Sequence, residues 1–236
     1  MGKQKTIKEA FSVVGVGLHT GEKVTLTVNP AAENHGFKFK RVDVEGEPVI
    51  NADADLVVDT SRGTTLEKNG VRIYTTEHVL AALAGLEVDN ALLELDGPEM
   101  PIMDGSAYPF VKLIQGVGIQ EQSADKDYFV VTKNLTYEDE SRQTEMLAVP
   151  QDEFRLTVMV DYNSPLLGTQ HAHMYHIGEF VEEISKCRTF VFLRELELLA
   201  KNGLIKGGDL DNAIILVDTV LPQEKLDEIA DLLGKP

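Results

Sequence analysis

A chain of 236 residues is long enough for one large domain or two modest ones, each with its own core. Its 43% hydrophobic and 26% charged residues are those of an ordinary folded protein, which excludes collagen-like or disordered character. A net charge of -17, from 39 acidic and 22 basic residues, repels phosphate backbones and anionic membranes at long range and so excludes general nucleic-acid binding. A small anionic ligand stays compatible, because a few Lys or Arg side chains control the potential of one pocket. The single cysteine, Cys187, excludes an intramolecular disulfide framework. The N-terminal residues lack the apolar stretch of a signal peptide, so a cytoplasmic setting is expected. No apolar run approaches the roughly 18 residues of a membrane-spanning helix.

In chain order, strands are expected at Thr6–Val14 and Lys23–Val28, around a glycine-rich turn at 15–21. The second alternates Val24, Leu26 and Val28 with polar neighbours, the pattern of a half-buried strand. Gly36–Lys40 and Thr64–Tyr74 are further strand candidates, the latter folded at Asn69-Gly70, a hairpin signal. Residues 75–85 read as a helix that a Thr can cap and Gly85 can end. A buried strand, Asn90–Leu95, a loop and a second helix, Pro109–Gln115, follow. The polar, unpatterned Gln120–Lys126 sets a boundary, giving domains at 1–126 and 127–236.

Beyond it, strands are expected at Tyr128–Thr132, Leu135–Glu138, Thr144–Val149, Phe154–Tyr162 and His171–His176. Helical patterns at Glu179–Ile184 and Leu193–Lys201, a turn at Gly207-Gly208, a strand at Ala213–Val217 and a helix at Gln223–Leu233 complete the chain. No strand follows that helix, so the second layer reads as incomplete.

Few local features carry chemistry alone. Glu77-His78 opens a helix, where an imidazole can bind zinc and the adjacent carboxylate can lean towards a metal-bound water. A Glu in the first turn also simply complements the helix dipole. His171 and His173 share one strand face with His176 nearby, but no carboxylate or cysteine completes a closed zinc set there, and a polar strand edge is the simpler reading. Cys187 reads as a buried, inert thiol, and Gly207-Gly208 as a tight turn without the spacing of a nucleotide-binding loop.

Taken together, GVGLHTG at 15–21, TEHVLAAL at 76–83, PIMDGS at 101–106, and CRTF at 187–190 followed by Gly207-Gly208 resemble the zinc deacetylase of lipid A biosynthesis. That family removes the N-acetyl group of UDP-3-O-acyl-N-acetylglucosamine, and the motifs agree in order and separation along essentially the whole chain. The resemblance implies an α+β fold of two similar domains, each a mainly antiparallel sheet with helices, the helices packed between the two sheets. It makes His78 a zinc ligand, Glu77 the general base and Thr189 the donor to the oxyanion. It assigns substrate binding to Leu18 and His19, an acyl passage to Phe190, Leu196, Gly208 and Ala213, and a uridine-side pocket to Asp161 and Tyr162.

The family's other two zinc ligands lie in a later His-x-x-x-Asp helix beside a lysine, and a further histidine comes later still. Neither motif follows Gly208 here. The expectation is therefore a second domain and a zinc site that are incomplete in these 236 residues, with little activity from them alone. Some relatives are fused to an acyl carrier protein dehydratase, so a further C-terminal region is expected to supply the ligands or a second activity. The expected partner is an acylated UDP-sugar, with no nucleic acid and no transmembrane segment. The alternative is a metal-free module that binds the same sugar.

Overall fold

The structure, a computed structural model, describes residues 2–234; residues 1, 235 and 236, at the outer ends of the two expected domains, lie outside the described residues. Its centre is a five-stranded sheet. Strands β2 (Phe11–Val16), β3 (Lys23–Pro30), β4 (Phe37–Arg41), β5 (Val49–Asn51) and β9 (Ala91–Leu95) lie in the order β2-β3-β9-β4-β5, all antiparallel except β4 beside β9. Alternation dictates which face is dry: Val24, Leu26, Val28, Phe39, Ile50, Leu93 and Leu95 all turn inward and are buried. Helices α1 (Glu77–Gly85) and α2 (Tyr108–Val117) pack on one another and supply Val79, Ala82, Leu83, Phe110, Val111 and Ile114 to the same core.

Three short strands, β6 (Val57–Asp59), β7 (Thr65–Lys68) and β8 (Val71–Ile73), form a separate antiparallel sheet. The turn between β7 and β8 falls at Asn69-Gly70 as expected, with φ of 52° and 80°, the left-handed conformations that Asn and Gly tolerate.

Several expected boundaries are corrected. The single strand Thr6–Val14 is two: β1 (Lys3–Ile7) ends at a turn where Lys8 N donates to Gly118 O at 2.8 Å, and β2 starts at Phe11 in another sheet. The presumed linker is itself a strand, β10 (Ile119–Asp125), paired antiparallel with β1. Its cohesion is polar. Buried Asn90 donates to Gln4 Oε1 at 2.9 Å and Gln122 Oε1 at 2.8 Å, and Gln122 donates to Ala31 O at 2.9 Å. A strand held by amides has no hydrophobic period, which is why its pattern reads as a loop. Thr76 does not cap α1 either; its hydroxyl donates to Thr64 O at 3.1 Å and ties the helix start to β7's approach.

Residues 127–134 are irregular, so the expected strand Tyr128–Thr132 is absent. The next strands form two hairpins, β11 (Leu135–Asp139) with β12 (Thr144–Ala148) and β13 (Leu156–Asp161) with β14 (Thr169–Met174), each a two-stranded sheet among the described residues. Much of their apolar surface is open: Met159 is 74% and Leu147 64% exposed. The following wide helical turn, Phe180–Ile184, returns to the central core through Phe180. A Cβ added to Gly85 would stand 2.0 Å from the Phe180 ring, so the aromatic ring occupies the space that glycine leaves on α1.

The last unit is a parallel pair, β15 (Phe190–Phe192) with β16 (Ile214–Leu216), and two packed helices, α3 (Leu193–Lys201) and α4 (Gln223–Leu233). The architecture is α+β with mainly antiparallel pairing, as expected.

Candidate active site

Backbone bonds between distant segments assemble the site. Ile102 N donates to Val16 O at 3.0 Å, Gly207 N to Leu18 O at 3.0 Å and Thr189 N to Gly105 O at 2.7 Å. Residues 15–21, 101–106, 187–190 and 207–208 therefore meet in one place although they span most of the chain. Two glycines are required by the close approach: a Cβ on Gly207 would lie 2.2 Å from Gly17 O, and one on Gly105 2.0 Å from Asn212 O. Gly105 also has a φ of 82°, which favours glycine independently.

Glu77 and His78 enter from the first turn of α1. Glu77 Oε2 accepts from Thr64 N at 2.8 Å, which fixes the carboxylate, while Oε1 faces Gly63. Burial pushes the His78 imidazole below its usual pKa, against the opposing pull of the Glu77 and Asp104 carboxylates. The ring is then neutral near pH 7, the form that binds a metal. Asp104 is itself pinned: its carboxylate accepts from Ser106 N at 3.0 Å and Ser106 Oγ at 2.7 Å, and its carbonyl from Arg188 Nε at 2.7 Å.

A carboxylate that sequence reading missed organises the adjoining loop. Glu99, 1% exposed, accepts from His19 N at 3.0 Å, Thr20 N at 2.8 Å and the Thr75 hydroxyl at 2.9 Å. Gly17 makes room for it, since a Cβ there would be 2.5 Å from Oε2. An acid in a loop has no period or motif that announces burial.

Next to this cluster is a cavity of about 560 Å³, within the range that holds drug-sized ligands. Leu18, His19, Thr189, Phe190, Leu196, Gly208 and Ala213 all line it, so most of the residues expected to bind substrate do share one space. Asp161 and Tyr162 are outside that lining. Tyr162 instead stacks edge-on against Phe190, with ring centroids 5.6 Å apart, and Asp161 accepts from Asn163 N at 2.9 Å at the end of β13. Sequence reading also missed Arg62, which donates to Glu195 Oε1 at 3.2 Å at the edge of the cavity, and the α4 residues Leu226, Ile229 and Ala230.

No group of three or more His, Cys, Asp or Glu among the described residues could hold a metal ion. His78, with Glu77 and Asp104 nearby, supplies one imidazole where a catalytic zinc takes three protein ligands; by themselves the described residues do not fit the ion. His171 and His173 lie on β14 opposite Met159 and Thr157, and His176 pairs with Glu179 at 3.3 Å. Cys187 is exposed, not buried as expected, because its turn faces solvent and leaves Sγ only Glu183 O at 3.6 Å.

Fold and site together define a mixed α/β protein in which an acid and an imidazole at a helix start connect, through the 104–106 loop and Thr189, to an apolar cavity. The chain belongs to the family described as UDP-3-O-acyl N-acetylglycosamine deacetylase, whose sequence profile matches residues 4–229. It is 48% identical over 236 residues to the "Bifunctional enzyme LpxC/FabZ" of Bacteroides thetaiotaomicron, covering 100% of the chain and 51% of that protein. With the Porphyromonas gingivalis protein of the same name it shares 46% over 234 residues, 99% of the chain and 51% of that relative. The "UDP-3-O-acyl-N-acetylglucosamine deacetylase" of Methylococcus capsulatus is 48% identical over 219 residues, 92% of the chain and 71% of that enzyme. The chain thus spans about half the length of the bifunctional relatives it matches.

Proposed function

We propose that the complete protein hydrolyses the N-acetyl group of UDP-3-O-acyl-N-acetylglucosamine, a step of lipid A synthesis carried out in the cytoplasm. The observation that supports this reading is that residues 18–19, 189–190 and 208 line one apolar cavity, with Thr189 both lining it and bonded through its N–H to Gly105 O in the loop beside His78. An acylated nucleotide sugar requires that combination of apolar room and a polar reacting end. In this reading Glu77 takes the proton from the attacking water, and the Thr189 hydroxyl donates to the oxygen that gains charge when the amide carbon becomes tetrahedral. Leu18, His19, Phe190, Leu196, Gly208 and Ala213 hold the acyl chain and sugar, and Asp161 and Tyr162 the uridine side.

Zinc enters as a property proposed of the complete protein, with His78 as one ligand. The division into residues 1–126 and 127–236 is part of the same proposal. A fused second enzyme is favoured by the full coverage of this chain within relatives named as bifunctional. There is no helix among the described residues long and apolar enough to cross a membrane.

The test is acetate release from UDP-3-O-acyl-N-acetylglucosamine by the protein expressed from its complete reading frame, before and after chelation. Turnover that is lost on chelation and restored by zinc is expected. Tight binding of the sugar without acetate release would replace the enzyme with a binding module.

A further inference from the structure

The motifs that carry the family resemblance end at residue 208, yet α4 reaches the cavity from residues 223–233. Leu226, Ile229 and Ala230 lie at i, i+3 and i+4, one face of a helix, and all three line the space into which Leu196 and Leu199 of α3 also project. Ile229 is 5% exposed, and Leu226 and Ala230 are half-buried where they border the cavity. The other face carries Glu224, Asp227, Glu228 and Asp231, a solvated surface. The two helices are also clamped at their polar edge, where Lys225 Nζ meets Glu197 Oε2 at 2.7 Å. The helix is thus a fixed wall with a small residue, Ala230, set into it.

We propose that α4 is the element that sets how long a linear apolar chain the cavity admits, with Ala230 and Leu226 as the specificity-determining positions. The proposal rests on the deacetylase reading only for the identity of that chain as the substrate's acyl group. A hydrophobic wall discriminates by volume: one methylene too many or too few in an apolar pocket changes selectivity by about 10- to 200-fold. Ala230 leaves room that a larger side chain would fill, and Leu226 fills room that a smaller one would open.

The experiment uses the protein from its complete reading frame and a series of UDP-3-O-acyl-N-acetylglucosamines differing only in acyl length. Ala230→Leu should lower kcat/KM for the longest chain accepted by roughly tenfold or more, while leaving the short chains within about twofold. Leu226→Ala should shift the preference the other way, towards longer chains. Glu224→Ala, on the solvated face, is the control and should leave the profile unchanged. Equal losses at every length would reduce α4 to a scaffold and overturn the proposal, as would unchanged profiles in both variants.

If the unsubstituted protein releases acetate from no member of the series, the deacetylase reading fails, and the wall is then judged by binding. Displacement of a fluorescent fatty acid by saturated fatty acids of graded length should still show opposite shifts in the two variants. An unchanged length preference there also overturns it. Ala230→Val and Leu226→Val, milder changes on the same positions, serve if either larger change prevents folding.

Discussion

At the scale of single residues, the fixed carboxylate of Glu77 separates two roles. Because it precedes the imidazole and is oriented by Thr64 N, Glu77→Gln in the complete protein should preserve metal content while reducing turnover by roughly 10² to 10⁴, the usual share of a general base. Loss of metal together with turnover would make Glu77 a ligand. Thr189→Val keeps shape but removes a hydroxyl, so about 3 kcal/mol of transition-state stabilisation should disappear from kcat with little change in KM. Steady-state kinetics alone decide whether Thr189 acts on chemistry or on binding. Glu99→Gln puts amide hydrogens against backbone N–H donors in a site closed to water. A loss of about 2 kcal/mol in thermal or denaturant unfolding is expected, since hydrogen bonds to buried charged groups are worth about 1.5–3 kcal/mol.

Glu77, His78 and Thr189 could be put forward as candidates from sequence because each lies in a motif of recognisable order. Glu99 and Arg62 were not legible, because their roles depend on which loops fold beside them. Asp161 and Tyr162 were expected with the substrate residues, yet Tyr162 reaches the cavity only indirectly, through the ring of Phe190.

At the scale of elements, periodicity decided what could be read. The alternating β3, the hairpin at Asn69-Gly70 and the two-faced α3 and α4 were legible; β10 was not, because amide hydrogen bonds replace apolar contacts along it. The seam between α1 and the segment after β14 has the same character, for nothing near Gly85 in sequence announces Phe180. Gly85→Ala gains at most about 1 kcal/mol of helix propensity but overlaps the ring, and overpacking costs about 1–3 kcal/mol. Net destabilisation is expected, and with Phe180→Ala in the same chain, which removes the ring atoms that overlap, the combined loss should be smaller than the sum of the two single losses; additive losses in the double variant would exclude the contact as the cause.

The α3–α4 clamp also has a defined acid limit. Hydrogen bonds from Lys201 and Lys225 hold Glu197 at a pKa of about 2, from an ordinary value of 4.5, and Lys225 faces Glu228 as well. A lowered carboxylate contributes stability above its unfolded value and loses it as pH falls through the folded one. The clamp is therefore present above pH 4.5 and released between there and about 2. Both partners are only partly buried, so 1 M salt should weaken it at neutral pH. Proteolysis at α4 across pH and salt would report this, with Lys225→Ala insensitive to both.

At the scale of the whole molecule, the two halves differ in closure. Residues up to β10 share one dry core, whereas the β11–β14 hairpins present Met146, Leu147, Phe154 and Met159 at 63% exposure or more. Apolar patches of that kind seek cover. The 236-residue chain purified alone should associate at micromolar concentration and retain zinc poorly through dialysis, since its described residues offer one imidazole to an ion that takes three ligands. On the zinc reading proposed above, a protein of the length of the bifunctional relatives should be better dispersed and keep stoichiometric zinc. Light scattering and metal analysis on both make the comparison, and a monomeric short chain with tightly held zinc would sink the prediction.

The pairing of β1 with β10 does more than finish a sheet. Lys3 sits opposite Asp125, and Lys126 N donates to Gly2 O at 2.9 Å, so the path into this part of the molecule and the path out of it run side by side. A segment whose ends meet can be cut out and spliced elsewhere without stretching its host. Residues 2–126 bring their ends together in that sense, although Met174 and Phe180 from the later chain complete the same core, so a transplanted segment should close fully only with the Phe180 segment supplied as well. The same adjacency would let new ends of this segment be opened at Asn69-Gly70, the turn between β7 and β8, while a short linker joins residues 2 and 126.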